Sequence, residues 1–213
     1  EQTTGGNNTA IGTNAMNDTG NVPASADNVF IGSGCGNGTW VTNETNNCVA
    51  IGRTALSGAL TGAGDGTIAI GKSALASLTS GFGNTAVGYL ALTTEDAGHY
   101  NTAVGYEALE LANNDTGSNT AVGYQAGDSV TGYGNALFGK DSGEGLTTGF
   151  NNTLIGKDAL AGAVDAENRT SLGYATTAVA DNSVTLGNTS VDNLYAAQDG
   201  TAVISAGGLG VGL

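Results

Sequence analysis

The sequence is poor in proline, in basic residues and in histidine. Among its 213 residues there are one proline, five lysines and arginines together, and one histidine. A single proline excludes a collagen-like triple helix, which needs abundant proline and a strict Gly-X-Y period. With 19 acidic residues and a net charge of −14, the chain also lacks the basic footprint of nucleic-acid binding. We therefore expect no nucleic-acid partner.

Long apolar runs and catalytic motifs are missing as well. No apolar stretch approaches the roughly 18 residues of a membrane-spanning helix, so we expect no membrane insertion. The sequence contains no His/Cys cluster for zinc, no nucleophile elbow and no complete phosphate-binding loop. The acidic pairs Glu95/Asp96 and Glu107/Glu110 stand in no special context for glycan cleavage. These observations predict a protein that is not an enzyme.

Glycine is abundant, with 37 residues, and much of it recurs at regular intervals. An aliphatic or aromatic residue precedes a glycine in eleven related segments, for example NTAIG at 8–12, NTAVG at 84–88 and NTLIG at 152–156. The spacing between these glycines runs from 14 to 20 residues. The glycines are Gly12, Gly32, Gly52, Gly71, Gly88, Gly105, Gly123, Gly139, Gly156, Gly173 and Gly187. Repeats this short are typical of β-solenoids rather than of helical hairpins or propeller blades.

Alignment on these glycines gives a template, N-T-A-φ-G-x-x-A-L, in which φ is aliphatic or aromatic. The template predicts an all-β, parallel β-solenoid of about eleven coils of 14–20 residues, each with two short strands and two turns. We expect the A-φ and A-L positions to fill a narrow interior and the glycine to form a sharp corner. The solenoid should span residues 1–191, and residues 192–213 should form a capping or assembly segment.

The residue after each glycine forms the column with the most candidate binding residues. It contains Tyr89, Tyr106, Tyr124 and Tyr174, and four of the five basic residues, Arg53, Lys72, Lys140 and Lys157. A row of tyrosines suits ladder stacking or packing against another chain, and it also suits stacking on sugar rings. Asp141 and Asp158 follow two of the lysines, which leaves salt bridges between chains and simple solvation as alternatives.

Three other features are candidate sites. The register brings Cys35 and Cys48 to adjacent coils, so we predict a disulfide, which would fit an oxidising extracellular setting. Two buried thiols are the alternative. The segment 62–67 (GAGDGT) resembles a calcium-binding loop but does not recur, so calcium stays a minor alternative and no other cofactor is predicted. His99 is interpreted as a loop residue.

Residues 84–92 and 101–109, which both read N-T-A-V-G-x-x-A-L, point to a known kind of repeat. Together with 182–190 (NSVTLGNTS), they resemble the head repeats of YadA-like trimeric autotransporter adhesins and related repeats of bacteriophage tail fibres. The resemblance covers about residues 5–191. It implies a left-handed β-roll, a homotrimer, and display on a cell surface or a virion.

Two functions follow as hypotheses. The first is a fibre or adhesin head that is displayed outside the cell and attaches to a cell-surface glycan or protein receptor. The second is a structural subunit that stacks head to tail into an extracellular filament, because solenoid ends expose unpaired strand edges. Ice binding by a column of threonines, which includes Thr85, Thr102 and Thr120, remains a minor option.

Overall fold

The fold is a parallel β-solenoid in a computed structural model that describes residues 6–17, 25–38, 45–60 and 64–191. Eleven short strands follow one another in a single parallel sheet, in the order of the sequence. They are β1 Thr9–Ile11, β2 Val29–Ile31, β3 Val49–Ile51, β4 Ile68–Ile70, β5 Thr85–Val87, β6 Thr102–Val104, β7 Thr120–Val122, β8 Ala136–Phe138, β9 Thr153–Ile155, β10 Arg169–Leu172 and β11 Ser183–Leu186. The predicted β-solenoid is thus confirmed. The segment 192–213 lies outside the described residues.

The pairing register agrees with the columns of the sequence alignment. Ala86 of β5 pairs with Ala103 of β6, and Ala103 pairs with Ala121 of β7. The same alignment holds where the residue type changes, as between Ala121 of β7 and Leu137 of β8. Each coil therefore repeats the last in space, and residues that share a column in the sequence lie above one another along the rod.

Each described coil has one strand of the main sheet, not the two that the sequence predicted. After the corner glycine, the second and fourth residues take left-handed conformations, with φ of 54° and 48° at Thr54 and Leu56 and 55° and 50° at Glu107 and Leu109. Left-handed residues at alternate positions bend the chain continuously and prevent an extended second strand. This limb of the coil is a series of turns that nevertheless hydrogen-bonds to the next coil, as Leu109 does to Ala126.

The core is a thin column, and its composition differs from the prediction at one position. The middle residue of most strands is fully buried, as at Ala86, Ala103 and Leu137, and so is the A-L pair, as at Ala108 and Leu109. The φ residue points outward instead, because successive side chains on a strand alternate between its two faces. The φ side chains are accordingly exposed to solvent, by 43% at Ile155 and 58% at Ile11. The A-L prediction is confirmed, and the placement of φ in the interior was wrong.

A ladder of buried asparagines closes the coil just before six of the strands. In one rung, the Asn119 side chain donates to the carbonyl of Gly132 at 2.9 Å and accepts from the backbone N–H of Asn135 at 3.0 Å. The backbone N–H of Asn119 donates to the side-chain oxygen of Asn101 in the preceding coil, at 3.0 Å. Such bonds satisfy buried backbone groups that would otherwise each cost about 1–3 kcal/mol. The buried asparagines are Asn28, Asn84, Asn101, Asn119, Asn135 and Asn152.

The corner glycines let neighbouring coils approach more closely than any side chain permits. Gly88 has φ +151°, and a Cβ placed on it would lie 1.9 Å from the carbonyl oxygen of Gly105. The same clash with the next glycine recurs along the column, at 2.1 Å for Gly105 and 2.3 Å for Gly123. The recurring glycine forms the predicted sharp corner, where it combines positive φ with a close backbone approach.

Replacing a corner glycine should therefore be far more damaging than replacing another glycine with positive φ. We expect Gly88→Ala to lower the free energy of unfolding by roughly 3 kcal/mol or more, since it adds a backbone clash to conformational strain. Gly145→Ala is the control, because Gly145 has φ +75° with nothing within 4 Å of its Cβ position. That variant should lose only about 1–2 kcal/mol. Urea unfolding followed by circular dichroism measures both, and equal losses would contradict the close-approach explanation.

Candidate functional site

The outer face of the sheet carries a strip without a single charged side chain. Two residues of each strand point outward, and we call these two columns the uncharged strip. The first column contains Thr9, Val29, Val49, Ile68, Thr85, Thr102, Thr120, Ala136, Thr153, Thr170 and Val184. The second contains Ile11, Ile31, Ile51, Ile70, Val87, Val104, Val122, Phe138, Ile155, Leu172 and Leu186. The threonine column that ice binding would need is interrupted at five of its eleven positions.

The predicted tyrosine ladder forms at one edge of this strip. The rings of Tyr89 and Tyr106 stack at 5.0 Å, and those of Tyr106 and Tyr124 stack at 5.3 Å with only 8° between their planes. Lys72 lies over Tyr89 and Lys140 over Tyr124, each with the ammonium 5.1 Å from the ring centroid. Cation–π contacts thus cap the stack at both ends.

This stacking leaves edges and hydroxyls, not ring faces, for any partner. Tyr106 is 44% exposed, yet its two faces lie against Tyr89 and Tyr124. A hydrogen bond to the Glu107 carboxylate is the main cause that raises the pKa of Tyr106. Tyr174 does not join the stack, because the rungs between it and Tyr124 carry lysines; it lies beneath Lys157 at 5.1 Å. The geometry favours ladder stacking or a contact between chains over sugar stacking at these tyrosines.

The lysines of this column find their partners within their own chain. Lys140 pairs with Asp141, and Lys157 pairs with Asp158 at 2.7 Å. Both lysine side chains are about half exposed, at 50% and 51%. Exposed pairs of this kind contribute at most about 1 kcal/mol. Because each lysine ammonium already contacts a tyrosine ring and an aspartate carboxylate of its own chain, salt bridges between chains are not needed to explain these residues.

A second aromatic column lies on the opposite edge of the strip, and the sequence analysis missed it. Phe82 and His99 lie 4.2 Å apart between ring centroids, and Tyr133 and Phe150 stack at 5.1 Å. Tyr100 adds an edge-on contact with Phe82 at 5.2 Å. Phe82, His99, Tyr133 and Phe150 all stand two residues before a ladder asparagine. They also stand six residues before the corner glycine, so the glycine alignment contains this column, and only its mixed residue types conceal it.

The two cysteines are free, buried thiols in the structure, where the sequence analysis had predicted a disulfide. The Cys35 thiol faces the core and donates to the carbonyl of Ala50 at 3.0 Å. Cys48 occupies an asparagine position of the ladder, and its thiol donates to the carbonyl of Gly64 at 3.0 Å. They therefore lie in different columns and serve different carbonyls. Burial raises the pKa of both thiols to about 11, which makes them poor nucleophiles.

Glu95 is an unexpected carboxylate inside the core. It is fully buried, in a column otherwise filled by residues such as Leu78 and Val130. Its carboxylate accepts from the N–H groups of Gly98 at 2.7 Å and Ala97 at 3.2 Å. Burial nevertheless dominates and raises the pKa of Glu95 above that of an ordinary carboxyl group. A side chain sealed in this way is a structural turn cap and does not face a substrate.

Acidic residues also gather on the limb that follows the tyrosine ladder. Burial, Glu107 and Asp128 together raise the pKa of Glu110. Within the described ranges, no group of three or more His, Cys, Asp or Glu side chains is placed to hold a metal ion. The calcium alternative at 62–67 falls partly outside the described residues, since 61–63 are not among them.

Comparison of the chain with protein-family models, with curated proteins and with solved structures finds no match. The strand order and the stacked side chains by themselves define the class of protein: a parallel β-solenoid with side-chain ladders. In the part of the chain that the structure describes, there is no helix with the length and apolar character needed to cross a membrane.

The raised pKa of Glu95 generates a prediction about stability and pH. The folded protein holds this proton more tightly than the unfolded chain, so its contribution to stability falls as the pH rises above the ordinary carboxyl value near 4.5. Glu95→Gln keeps an oxygen for Gly98 and removes the titration. We expect the melting temperature of this variant, relative to the wild type, to increase steadily from about pH 4 to about pH 7.

The matched control is Glu144→Gln, because Glu144 is an exposed carboxylate on the same limb. Its melting temperature relative to the wild type should change much less over that range. A flat difference between Glu95→Gln and the wild type would show that the buried carboxylate does not titrate differently in the two states.

Proposed function

We propose that this chain is the rod-shaped, non-enzymatic head of a fibre displayed outside a cell or on a virion, where several copies associate side by side and attach to a receptor or glycan. The observation that carries this proposal is the uncharged strip. A chain of net charge −14 leaves every outward position of an eleven-stranded sheet free of charge. Charged residues are depleted at the cores of protein interfaces, and the strip has that composition along its whole length.

The dimensions and shape of the strip support association between copies of the same chain. Ten coil steps of about 4.8 Å make a face about 48 Å long. A second copy offers a face of the same length and the same coil spacing, so strands can lie along strands without a mismatch. A closed ring of three copies, as the resemblance to YadA-like heads implies, would bury the strip of each chain around a common axis.

Head-to-tail filament formation is the alternative, because β1 and β11 are the two edge strands of the described sheet. All three residues of β1 are exposed, including Ile11 at 58%. Its outer edge presents strand groups that could pair with β11 of another copy. In that arrangement the uncharged strips of successive copies would form one continuous line. The two modes differ in the mass of the assembly, because a closed trimer stops growing and a filament does not.

Light scattering of the full chain after size exclusion tests the proposal. We expect the wild type to have three times the mass of one chain. Val104 lies at the centre of the strip and is 36% exposed, so Val104→Glu would place a carboxylate in the interface. Burying an unpaired carboxylate costs several kcal/mol, and the variant should therefore dissociate to single chains.

Leu111→Glu is the matched control, because Leu111 is a 50% exposed hydrophobic residue away from the strip. It should keep the wild-type mass. A wild type that stays a single chain at every concentration would refute association through the strip. Open-ended particles that grow with concentration would instead establish the filament.

A further inference from the structure

The two edges of the uncharged strip carry charges of opposite sign. We call the column after the corner glycines the glycine edge, and the two columns before the position of the ladder asparagines the asparagine edge. Levels of the rod are numbered by the strands, so that level 4 is the level of β4. The charged residues of the glycine edge are all basic: Arg53, Lys72, Lys140 and Lys157. Those of the asparagine edge are all acidic: Asp27, Asp65, Glu167 and Asp181.

Both edges keep the regular spacing of the coils. On the glycine edge, the carbonyl of Lys72 accepts a hydrogen bond from the N–H of Leu90 in the next coil at 3.1 Å. On the asparagine edge, the carbonyl of Asp65 accepts from the N–H of Gly83 at 3.0 Å. Each edge residue therefore lies at the level of its own strand. Lys72 and Asp65 both lie at level 4, beyond opposite ends of β4 (Ile68–Ile70).

The basic residues at levels 3 and 4 have no acidic partner in the part of the chain that the structure describes. Its ion pairs are those of Lys140, Lys157 and Arg169, so Arg53 and Lys72, both exposed, make none. Seven residues of mostly extended chain place Asp65 roughly 20 Å from Lys72. Attraction between exposed charges is largely screened over such a distance. Within one chain the two edges therefore cannot pair with each other, whereas the edges of adjacent chains can.

We propose that the two edges recognise a second copy of this chain in one orientation, parallel and with its coils level, so that the glycine edge of one copy meets the asparagine edge of the next. This assignment rests on the side-by-side association proposed above and adds the direction and the register of the partner. Two strips that face each other in parallel bring unlike edges together, and so do copies around a closed ring.

In this arrangement the facing residues are compatible along the described rod. Lys72 faces the partner's Asp65 at level 4, and Arg53 lies one level away from the same carboxylate. At levels 5 and 6 both edges are aromatic, and at levels 8 and 9 the lysines meet uncharged rings. Examples of facing pairs are Tyr89 with Phe82 at level 5 and Lys140 with Tyr133 at level 8. No level opposes two charges of the same sign, which is the electrostatic complementarity that fixes register at an interface.

The antiparallel arrangement opposes like charges instead. Turning one copy end over end, with the strips still facing, brings like edges together. When the rods overlap fully, level 4 meets level 8 and level 3 meets level 9. Lys72 would then face Lys140. Arg53 would face Lys157, and on the other edge two carboxylates would meet across levels 2 and 10. Like charges directly opposite each other are destabilising, so the edges select against this orientation.

Cross-linking between full-length chains tests the orientation. Tyr174 and Glu167 lie on opposite edges at level 10, and both are exposed. Tyr174→Cys and Glu167→Cys chains are mixed, allowed to associate and treated with a short bismaleimide. Parallel, level association should join the two variants into a covalent dimer on a denaturing gel. The control mixture is Tyr174→Cys with Ser33→Cys, because level 10 meets level 2 only when the rods are antiparallel. The native cysteines are buried and should stay unmodified.

Charge reversal tests the pairing at level 4 by light scattering. Lys72→Glu should weaken the association about tenfold at low salt, because it sets a carboxylate against the partner's Asp65. Lys140→Glu is the matched control, since it faces Tyr133 and has no carboxylate within one level on the facing edge. It should change the association far less. In the antiparallel arrangement both variants should instead strengthen the association, because each removes the repulsion between Lys72 and Lys140.

Several results would overturn the parallel, level orientation while leaving the fibre role standing. They are cross-links only in the Ser33→Cys mixture, no cross-link in either mixture of chains that do associate, and an association that Lys72→Glu strengthens or leaves unchanged. A wild type that stays a single chain would overturn the association itself and this assignment with it. The mass of the wild type therefore distinguishes failure of the orientation from failure of the proposed fibre role.

Discussion

Contact between the corner glycines sets the distance and the register between coils. At this corner the backbone of one coil touches that of the next, and a Cβ on most of these glycines would meet the next carbonyl oxygen within 2.7 Å. Because neither coil can slide past the other without a clash or a lost ladder bond, every later position in the coil is also brought into line. The asparagine ladder secures the same register from the other end of the strand.

Such strict registration converts a repetitive sequence into continuous columns of like side chains. Alanine and leucine columns fill the core, tyrosine and lysine columns stack at one edge of the sheet, and the uncharged strip runs between the two aromatic columns. Each contact is modest: an aromatic pair contributes about 0.5–1.5 kcal/mol. Repetition over many coils makes such contacts important, since the stability of a solenoid is approximately the sum of the stabilities of its coils and of the interfaces between neighbouring coils.

The candidate surfaces were predictable to different degrees. The tyrosine ladder was visible because Tyr89, Tyr106 and Tyr124 follow the glycine used for alignment. The aromatic column of Phe82 and Tyr133 also keeps a constant distance, six residues before that glycine, but its mixed residue types (Phe, His, Gly, Tyr and Phe) conceal it. The buried Glu95 could not be predicted either, since only the folded turn supplies the backbone N–H groups that make its burial tolerable.

By itself, the sequence determined the fold class, the position of the strands and the columns, because the glycine spacing and the alternating T-A-φ pattern depend on local geometry alone. The tertiary structure decided which side of each strand faces the core. A strand of three residues alternates in the same way whichever face is buried, so the pattern could not tell Ala103 from Val104 as the interior residue. The stacked coils decided it: the middle residue of the strand, whether Ala103 or Leu137, faces the interior, and its two neighbours form the uncharged outer strip.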